Sequence, residues 1–556
     1  MSRIGQRIGV SVVLLQACGA PAMEDGPDAT AGGTGDTGDT GEPDESLNCA
    51  ISVNKDVDIL FVIDNSGSMA EEQALLVANF AAFVDLLEAE DVAINYRIGI
   101  TTTDAGNPRC VGGVPENGTL VLSSCLDRVA SGEFVFADQD YSFACADHCT
   151  KTDAQLTVRP TTTHYDPQPR PRRWIERIEG QSNIEGVASN VEAFQCYGPQ
   201  GVAGCGFESH LESMYRALAK AEDPGSTANY GFLRDAAVLS IVVITDETDC
   251  SYRAGAKEVF VDNKVFWNSP DDVQPSSALC WRAGVECSGD SPYSECHAAN
   301  HGVDGAVGVA DADAVLRPVS EYVAFVKAIE ASKQLIDASQ RVLVSVIGGV
   351  PVGYQAGAAE LVYADAWDPG FQADFGIGPG CVRGDPKQPS ATAVPPVRER
   401  EFAEAFAGDD GRNLYSICQD NYGAALAAIA DRFRAQITPA CVPGCVRDLD
   451  PGTAVTDPGC HVYDVLADGT KVEILPCVAV DGAWARPPGA AVCYASLVDV
   501  DGMQTPGALD DMSTFCADLG VNLEFKVFRA DVAPPGATMA ATCERSDDAA
   551  RDCPGL

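Results

Sequence analysis

The sequence predicts an α/β protein with a mainly parallel, doubly wound sheet, followed by a small disulfide-braced β module. Two observations support this prediction. Between residues 55 and 438, short apolar runs alternate with stretches in which apolar residues recur at helical spacing, and such alternation gives a parallel sheet covered by helices on both faces. After Pro439 the pattern changes to alternating runs among eight cysteines, which is typical of a small β fold.

Four apolar runs are predicted to form strands of the parallel sheet. The first, residues 57–63, is short and almost entirely apolar, as expected for a strand that is buried on both faces. The other three are expected at residues 94–100, 237–244 and 341–347.

Four amphipathic helices are predicted between and after these strands, each with one apolar face. The third begins at Pro318, a position at which a helix tolerates proline. The residues that mark the apolar faces are Leu76, Phe80, Phe83, Val84 and Leu87; Leu211, Met214, Tyr215 and Leu218; Tyr322, Val323, Val326 and Ile329; and Tyr422, Leu426, Ile429 and Phe433.

Two long stretches interrupt the α/β domain, which is predicted over residues 49–440. Residues 104–195 and 250–315 are rich in Cys, Pro, Gly and Asp. We interpret them as insertions on loops of the sheet, held by disulfides because they lack cores of their own.

The β module is predicted over residues 441–556. An Asp468-Gly469 turn separates two alternating runs, and residues 523–527 alternate again. The sequence of this module does not indicate a role for it.

The N-terminus is typical of an exported chain. Two arginines precede an apolar run at residues 8–15, which is too short to span a bilayer but suits a secretory signal. The run ends in Leu-Gln-Ala-Cys18, which resembles the lipobox of bacterial lipoproteins. Residues 1–18 are therefore predicted to be a signal peptide with lipidation at Cys18, and cleavage nearer Ala20 or Ala22 is the alternative.

Residues 19–48 are predicted to be a disordered acidic linker, because they combine Gly, Thr, Asp and Glu with no basic residue. Such a linker would hold a folded domain away from a membrane to which the lipid anchors it. The expected location is the bacterial outer membrane or cell surface, or otherwise the periplasm or the medium.

Composition excludes one class of partner and indicates a compartment. The net charge of −44, from 81 acidic and 37 basic residues, argues against nucleic acid, whose phosphates require Lys and Arg. The 22 cysteines predict disulfides formed in an oxidising compartment.

A candidate metal site follows the first strand. Asp64, Ser66 and Ser68 supply one carboxylate and two hydroxyls within five residues, and Gly67 is interpreted as the residue that lets the backbone turn sharply. Ligands of open α/β sheets gather beyond the carboxyl ends of the strands. Hard oxygen donors of this kind are those that Mg²⁺ prefers.

The stretch DILFVIDNSGSM resembles the DxSxS motif of the metal-ion-dependent adhesion site in von Willebrand factor type A (vWA) domains. The resemblance extends over about residues 55–438. It implies that Ser66 and Ser68 bind Mg²⁺, or Ca²⁺ or Mn²⁺, directly, with Asp64 acting largely through water. The second acid of the family ends a later strand, and Asp246 in Ile244-Thr245-Asp246 is its counterpart.

The resemblance implies a non-enzymatic adhesion or protein-binding module. Its unknown protein partner would offer an acidic side chain to the cation. Two alternatives remain: a structural envelope protein whose ion only stabilises the loops, or an enzyme sited in the Cys-rich insertions. No metalloprotease, nucleophile-elbow or phosphate-loop motif is present in the sequence.

One loop departs from the family pattern. The family usually offers a Thr before the helix that precedes the second acid, whereas this chain has Gly-Phe-Glu208-Ser209 there. Glu208 is the tentative replacement ligand, and Ser209 or a water molecule is an alternative. An ordinary acidic residue at a helix start explains Glu208 equally well. Glu247 and Asp249 are read either as ligands of an adjacent Ca²⁺ or as part of a solvated loop.

Three further signals are interpreted as structural. A group of cysteines and histidines suggests zinc, but disulfides are the better interpretation in an exported chain. Arg383-Gly384-Asp385 matches a tripeptide that some integrins recognise, and is read as a surface loop. The basic patch could contact the protein's own acidic surface or an anionic cell-surface polymer, and is read instead as an insertion with ordinary salt bridges. The residues of the zinc-like group are Cys280, Cys287, Cys296, His297 and His301, and those of the basic patch are Arg170, Arg172, Arg173 and Arg177.

Overall fold

The computed structural model divides the chain into two units, Asn54–Ile437 and Met1–Val53 with Thr438–Leu556. The residues that it describes are 46–51, 56–88, 94–110, 114–178, 180–335, 340–385, 388–408, 411–437, 440–442, 444–452, 456–466, 470–480, 482–499, 508–513, 516–517, 520–529 and 538–553. The predicted signal peptide with Cys18, most of the predicted linker and the predicted Asp468-Gly469 turn lie outside these residues.

The larger unit is built on a seven-stranded sheet in the order β7-β6-β5-β1-β2-β3-β4. The strands are β1 (Asp56–Ile63), β2 (Asn95–Thr102), β3 (Trp174–Ile178), β4 (Gln181–Ser182), β5 (Val238–Ile244), β6 (Leu343–Gly348) and β7 (Leu414–Ser416). The five strands from β7 to β2 are parallel, and β3 and β4 form an antiparallel edge. The chain is therefore a mixed α/β protein with a parallel-rich central sheet.

Helices pack against this sheet and bury both sides of β1. They are α1 (Ala70–Leu87), α2 (Asn190–Tyr197), α3 (His210–Glu222), α4 (Val319–Gln334), α5 (Val397–Glu404) and α6 (Gly423–Gln436). Ile59 and Phe61 belong to a core cluster that includes α1 and α6, whereas Leu60 and Val62 belong to a cluster that includes α3 and α4. Because successive side chains of a strand point to opposite faces, burial on both sides explains the nearly continuous apolar run.

The four predicted strands and four predicted helices of the sheet are confirmed, with strand ends shifted by up to two residues. The interpretation of residues 104–195 as a coreless insertion is partly wrong, because β3 and β4 lie within it and extend the sheet. Trp174 of β3 is fully buried. This short strand, Trp-Ile-Glu-Arg-Ile, contains two charged residues and does not show the apolar run by which the other strands were found.

The two insertions and the segment between β6 and α5 contain short elements. Their helices are Cys125–Ser131, Phe143–Ala146, Ala278–Gly284 and Pro369–Phe375, with 3₁₀ turns at Ala254–Phe260, Lys264–Phe266 and Asp311–Asp313. Their strands are Val135–Phe136, Gln139–Asp140, Thr157–Val158, Ile184–Glu185, Val285–Ser288, Glu295–Ala298, Cys381–Asp385 and Gln388–Ala393.

The smaller unit is a second seven-stranded sheet. Across the sheet, its strands are Ser46–Ile51, Thr538–Glu544, Cys460–Val465, Lys471–Pro476, Val492–Leu497, Glu524–Arg529 and Ala440–Cys441. Outside that sheet lie a hairpin of Val478–Val480 with Ala483–Ala485 and a short helix at Ala549–Asp552. The sequence placed residue 49 at the start of the α/β domain, whereas Ser46–Ile51 pairs with Thr538–Glu544 in this unit.

Ten disulfides join cysteines among the described residues, none of which is free. The bonds of the larger unit are Cys110–Cys205, Cys125–Cys145, Cys149–Cys196, Cys250–Cys280, Cys287–Cys296 and Cys381–Cys418. Those of the smaller unit are Cys441–Cys516, Cys445–Cys553, Cys460–Cys543 and Cys477–Cys493. This density indicates an oxidising, extracytoplasmic environment. Within the described ranges, no helix has the length and apolar character needed to cross a bilayer.

Candidate functional site

The loop between β1 and α1 carries the first three predicted site residues. Asp64 and Ser66 are buried, whereas Ser68 is exposed. The Asp64 carboxylate accepts a hydrogen bond from the Ser66 backbone N–H (2.8 Å), which tightens the loop as Asp side chains commonly do in turns. The site therefore opens to solvent at Ser68.

Asp246 joins these residues from the neighbouring strand. It follows β5, which pairs in parallel with β1, so the carboxyl ends of the two strands meet at one edge of the sheet. Ser68 Oγ donates to Asp246 Oδ1 (3.2 Å) and lies 3.2 Å from Ser66 Oγ. Thr245 Oγ1 donates to Asp64 Oδ2 (2.7 Å). The structure thus brings together Asp64, Ser66, Ser68 and Asp246.

The carboxylates of this cluster have no cationic partner from Lys or Arg within 4 Å among the described residues. Burial, followed by the charges of Asp64 and Glu247, raises the pKa of Asp246 well above its ordinary value. Burial and the charge of Asp64 also raise the pKa of the partly exposed Glu247 to about 8. A histidine, His210, whose Nε2 lies 3.9 Å from Asp64 Oδ2, offers these carboxylates partial compensation.

Glu208 lies at the same edge of the sheet, but one of its carboxylate oxygens already accepts a hydrogen bond from a neighbouring side chain. The Glu208 side chain is fully buried, and one oxygen accepts a hydrogen bond from Thr103 Oγ1 just after β2, while Oε1 has no partner among the described residues. Burial and the charges of Asp64 and Glu247 raise the pKa of Glu208 well above its ordinary value. The assignment of Glu208 as a replacement ligand stays a prediction. The Ser209 hydroxyl donates instead to the Cys250 carbonyl (3.2 Å).

A network of buried polar side chains next to the candidate site was not predicted from the sequence. His210, the first residue of α3, is fully buried, with Nδ1 2.8 Å from a Glu399 oxygen and Nε2 3.9 Å from Asp64 Oδ2. Burial alone would lower the pKa of His210, but the Asp64 and Glu399 carboxylates raise it well above its ordinary value. No local pattern marks this histidine, since Glu399 comes from the distant helix α5.

Asp249 belongs to that network and not to an exposed loop. Its carboxylate accepts from Arg398 Nε (3.0 Å), the Leu211 N–H (3.1 Å) and Ser251 Oγ (2.6 Å). The interpretation of Asp249 as part of a solvated loop is wrong because it is fully buried. Its oxygens are already paired, which leaves no clear place for the adjacent Ca²⁺ that was weighed for Glu247 and Asp249.

Gln73, a buried residue of α1, fixes the position of the loop between β1 and α1. This loop, residues 64–69, is named the cation loop after the metal site predicted for it. Gln73 Nε2 donates to the Asp64 carbonyl (2.9 Å) and to the Gly201 carbonyl (2.8 Å), and Gln73 Oε1 accepts from the Gln200 N–H (2.7 Å). One side chain therefore ties the loop to the segment around residue 200. A polar residue on the buried face of α1 was the one sequence signal for this role.

Gly67 is needed for close packing and not for an unusual backbone angle. Residues 67–69 form the expected turn, in which the Met69 N–H donates to the Ser66 carbonyl (3.3 Å), but Gly67 is not among the residues with positive φ, so the turn itself does not require glycine. A Cβ at Gly67 would instead lie 2.4 Å from two ring carbons of Phe136. Phe136 comes from the Val135–Phe136 strand of the first insertion, and its side chain is 49% exposed.

The zinc-like group has the disulfide explanation expected of it, whereas the integrin-like tripeptide lies in the strand Cys381–Asp385 and not in a loop. Cys280 bonds to Cys250, and Cys287 bonds to Cys296, while His301 Nε2 lies 2.8 Å from a Glu286 oxygen. Arg383 of the tripeptide is largely buried and pairs with Glu71 (3.3 Å) and with Glu72 of α1.

The basic patch is held largely by carboxylates of the protein itself. Arg172 is buried and lies 3.0 Å from Asp166, which also pairs with Arg170 (2.9 Å). Arg177 pairs with Glu88 (3.3 Å). These pairs favour the salt-bridge interpretation over an anion-binding surface.

The four clustered residues suit a hard divalent cation by their chemistry. Two carboxylates and two hydroxyls lie at one solvent-open point, and no described Lys or Arg lies within 4 Å of the two carboxylates. No group of three or more His, Cys, Asp or Glu side chains in the described part of the chain is arranged to hold a metal. Any cation bound here would therefore depend on the serine hydroxyls.

Comparison with known proteins gives limited information. No protein-family model and no curated protein matches the chain. Two crystal structures of the pilus adhesin SpaC from Lactobacillus rhamnosus GG, one an open conformation, match with 10% and 9% identity and TM-scores of 0.27. Each match covers 90% of this chain and 40% of the adhesin. The chain thus spans well under half of that protein, and a likeness at this TM-score carries no argument about function.

Proposed function

We propose that the chain is a non-enzymatic, vWA-like module that binds a protein partner through a divalent cation, Mg²⁺ or otherwise Ca²⁺ or Mn²⁺. One observation carries the proposal. Asp64, Ser66, Ser68 and Asp246 converge at the carboxyl edge of a parallel sheet, open to solvent, with no described Lys or Arg to neutralise them.

Each residue has a distinct role in this proposal. Ser66 and Ser68 would hold the cation through their hydroxyls, and Asp64 and Asp246 would balance its charge and orient the serines and water. The bound cation supplies a position for a carboxylate of the partner. Thr245 and Gln73 keep the loop in place through their bonds to Asp64.

The proposed location follows from the disulfides and from the predicted lipobox. The disulfides favour an exported protein. Lipidation at Cys18 would tether it to the bacterial outer membrane or cell surface, with residues 19–48 as the spacer.

A cation that only stabilises the loops is the second candidate. The burial of Asp64 and Ser66 favours it, because buried charge without compensation destabilises a fold. The exposure of Ser68 favours the binding function, because an exclusively structural ion needs no open side.

Calorimetric titration of Mg²⁺, Ca²⁺ and Mn²⁺ into the full chain tests the site. We expect saturable binding by the wild type, its loss in Asp64→Ala, and no change in Asp262→Ala, which removes an exposed aspartate of the second insertion. Absence of binding to the wild type by all three ions would contradict the proposal.

The two candidate functions predict different responses of the cation-loaded protein to an added carboxylate ligand. In the Mn²⁺-loaded chain, a site with an open position should lose water-proton relaxivity when an aspartyl peptide displaces bound water. A closed structural site should retain its relaxivity at saturating peptide. The melting temperature should rise with cation in both cases, so it does not distinguish them.

A further inference from the structure

We infer that Phe136 determines the specificity of the candidate cation site, and that the site is suited to a partner segment in which a large apolar side chain lies next to the acidic one. This inference rests on the proposed function and adds the chemistry of the partner. It is carried by a contact between the first insertion and the cation loop.

The contact is close and leaves an apolar surface beside the site. A Cβ at Gly67 would lie within 2.5 Å of three ring carbons of Phe136, so the ring rests directly on the backbone between Ser66 and Ser68. Phe136 is 49% exposed and Val135 is 48% exposed. Because successive side chains of a strand point to opposite faces, Phe136 is the one of the two that lies on the loop, and its exposed part gives the site an apolar edge.

The hairpin that carries Phe136 is firmly built. Val135–Phe136 pairs with Gln139–Asp140, and Ala137 and Asp138 have φ of 50° and 62°, as a tight two-residue hairpin turn requires. The Cys125–Cys145 disulfide closes the chain on either side of it. A held ring can discriminate between ligands at a lower entropic cost than a mobile one.

The hairpin base is tied to the cation loop through shared partners. The Glu133 carbonyl accepts from the Val202 N–H (2.7 Å), and Gly201 packs against that same carbonyl with a φ of +90°. The Gly201 carbonyl accepts from Gln73, which also donates to the Asp64 carbonyl. Phe136 is thereby positioned relative to Asp64 by the fold.

Charge and geometry together specify the occupant. The acidic cluster with its cation would take a carboxylate, and the ring offers an apolar surface one residue along the loop, where consecutive Cα atoms are about 3.8 Å apart. Residues of an extended peptide are spaced at about 3.3 Å. The residue next to the acidic one is therefore near enough to the ring. Because successive side chains of an extended strand point to opposite faces, its side chain reaches the ring where the peptide turns at the acidic residue, and we expect an aromatic or large aliphatic side chain there.

Two peptides test this with the Mn²⁺-loaded full chain, acetyl-Asp-Phe-amide and acetyl-Asp-Gly-amide, titrated against water-proton relaxivity. Wild type should prefer the phenylalanyl peptide by about 2- to 10-fold, the range of one aromatic pair. Phe136→Ala should lose the preference, and Phe136→Leu should keep part of it. Phe143→Ala is the matched control, since Phe143 is a 38% exposed residue of the same insertion.

The outcomes separate this inference from the proposed function. Failure of the chain to bind Mg²⁺, Ca²⁺ and Mn²⁺ alike, or the absence of a relaxivity change of the Mn²⁺-loaded chain with either peptide, would overturn both. Equal affinity of the wild type for the two peptides, or a preference that survives in Phe136→Ala, would overturn only the role of Phe136. A direct Mn²⁺ titration of each variant shows whether cation affinity itself has changed.

Discussion

Two buried aspartates of one stretch of chain, Asp58 within β1 and Asp64 just after it, lie in opposite electrostatic surroundings. Asp58 accepts hydrogen bonds from the backbone N–H of Arg234 (2.6 Å) and from its Nε (2.8 Å). Asp64 has no described Lys or Arg within 4 Å. Its neighbours at the carboxyl edge include Asp246, Glu247 and Glu208, which add further negative charge.

The difference separates structural carboxylates from those available to a ligand. At the Asp58 end the protein supplies its own cations: Arg97 lies 2.7 Å from Glu176, and although burial alone would raise the pKa of Glu176, Arg97 lowers it. At the Asp64 end, burial and like charge raise the pKa of Asp246 without an opposing arginine. A buried charge left uncompensated costs stability, and a bound cation would remove that cost.

The largest expected effect is a loss of stability when the arginine that pairs with Asp58 is removed. Arg234→Met should lower the free energy of unfolding of the larger unit by about 3–5 kcal/mol, because it leaves Asp58 buried and unpaired. Denaturant unfolding in chelator measures this change. Arg412→Met, which breaks an exposed pair with Glu360, should cost less than about 1 kcal/mol. Equal effects of the two variants would contradict the distinction.

The next largest effect is the stabilisation that a bound cation should give at the Asp64 end of β1. Saturating Mg²⁺ should stabilise the wild type by about 2.7 kcal/mol at 100 times Kd, and Asp246→Asn should lose most of this gain. Without cation, Asp246→Asn should melt no lower than the wild type, because it removes an unfavourable charge. Asp58→Asn should show the reverse, with lower stability and an intact response to Mg²⁺. Melting curves with and without Mg²⁺ give all of these values.

The pH dependence should also differ between cation-free and cation-loaded protein. Asp246 and Glu247 have pKa values that are raised in the folded state, to about 8 for Glu247, so the folded state binds more protons than the unfolded one. The free energy of unfolding should therefore fall as pH rises from about 4 to about 8.

Mg²⁺ should reduce this decrease in the free energy of unfolding with pH, because the bound cation replaces the protons as the compensating charge. Asp246→Asn should reduce the fall without removing it, since Glu208 and His210 have raised pKa values that act with the same sign. Denaturant unfolding at pH 5 and pH 8 measures both. Stability that rises with pH over this range in chelator would contradict the electrostatic account.

The smallest effects separate the serine hydroxyls. Ser66→Ala and Ser68→Ala should each weaken cation binding by about 10-fold, as measured by calorimetry. Ser240→Ala is the control, because Ser240 is a buried serine of β5 that is remote in sequence from the cation loop. A similar loss in all three variants would indicate a general disturbance of the sheet.

Much of the sheet could be predicted because its signals are local. Residues 57–63 are apolar because β1 is covered on both faces. β3 could not be found in this way, since its place as an antiparallel edge strand depends on its pairing with β2. The metal site, the partner and the lipid anchor remain predictions.

The sequence by itself determined the apolar alternation, the placement of Asp64, Ser66 and Ser68 after a strand, and the cysteine content that favours disulfides. The tertiary structure decided which distant groups surround that loop. Arg398 pairs with Asp249, Thr103 donates a hydrogen bond to Glu208, and the Phe136 ring packs against Gly67. These contacts join residues far apart in the chain, and their existence depends on how insertions and helices pack, which no local pattern of residues encodes.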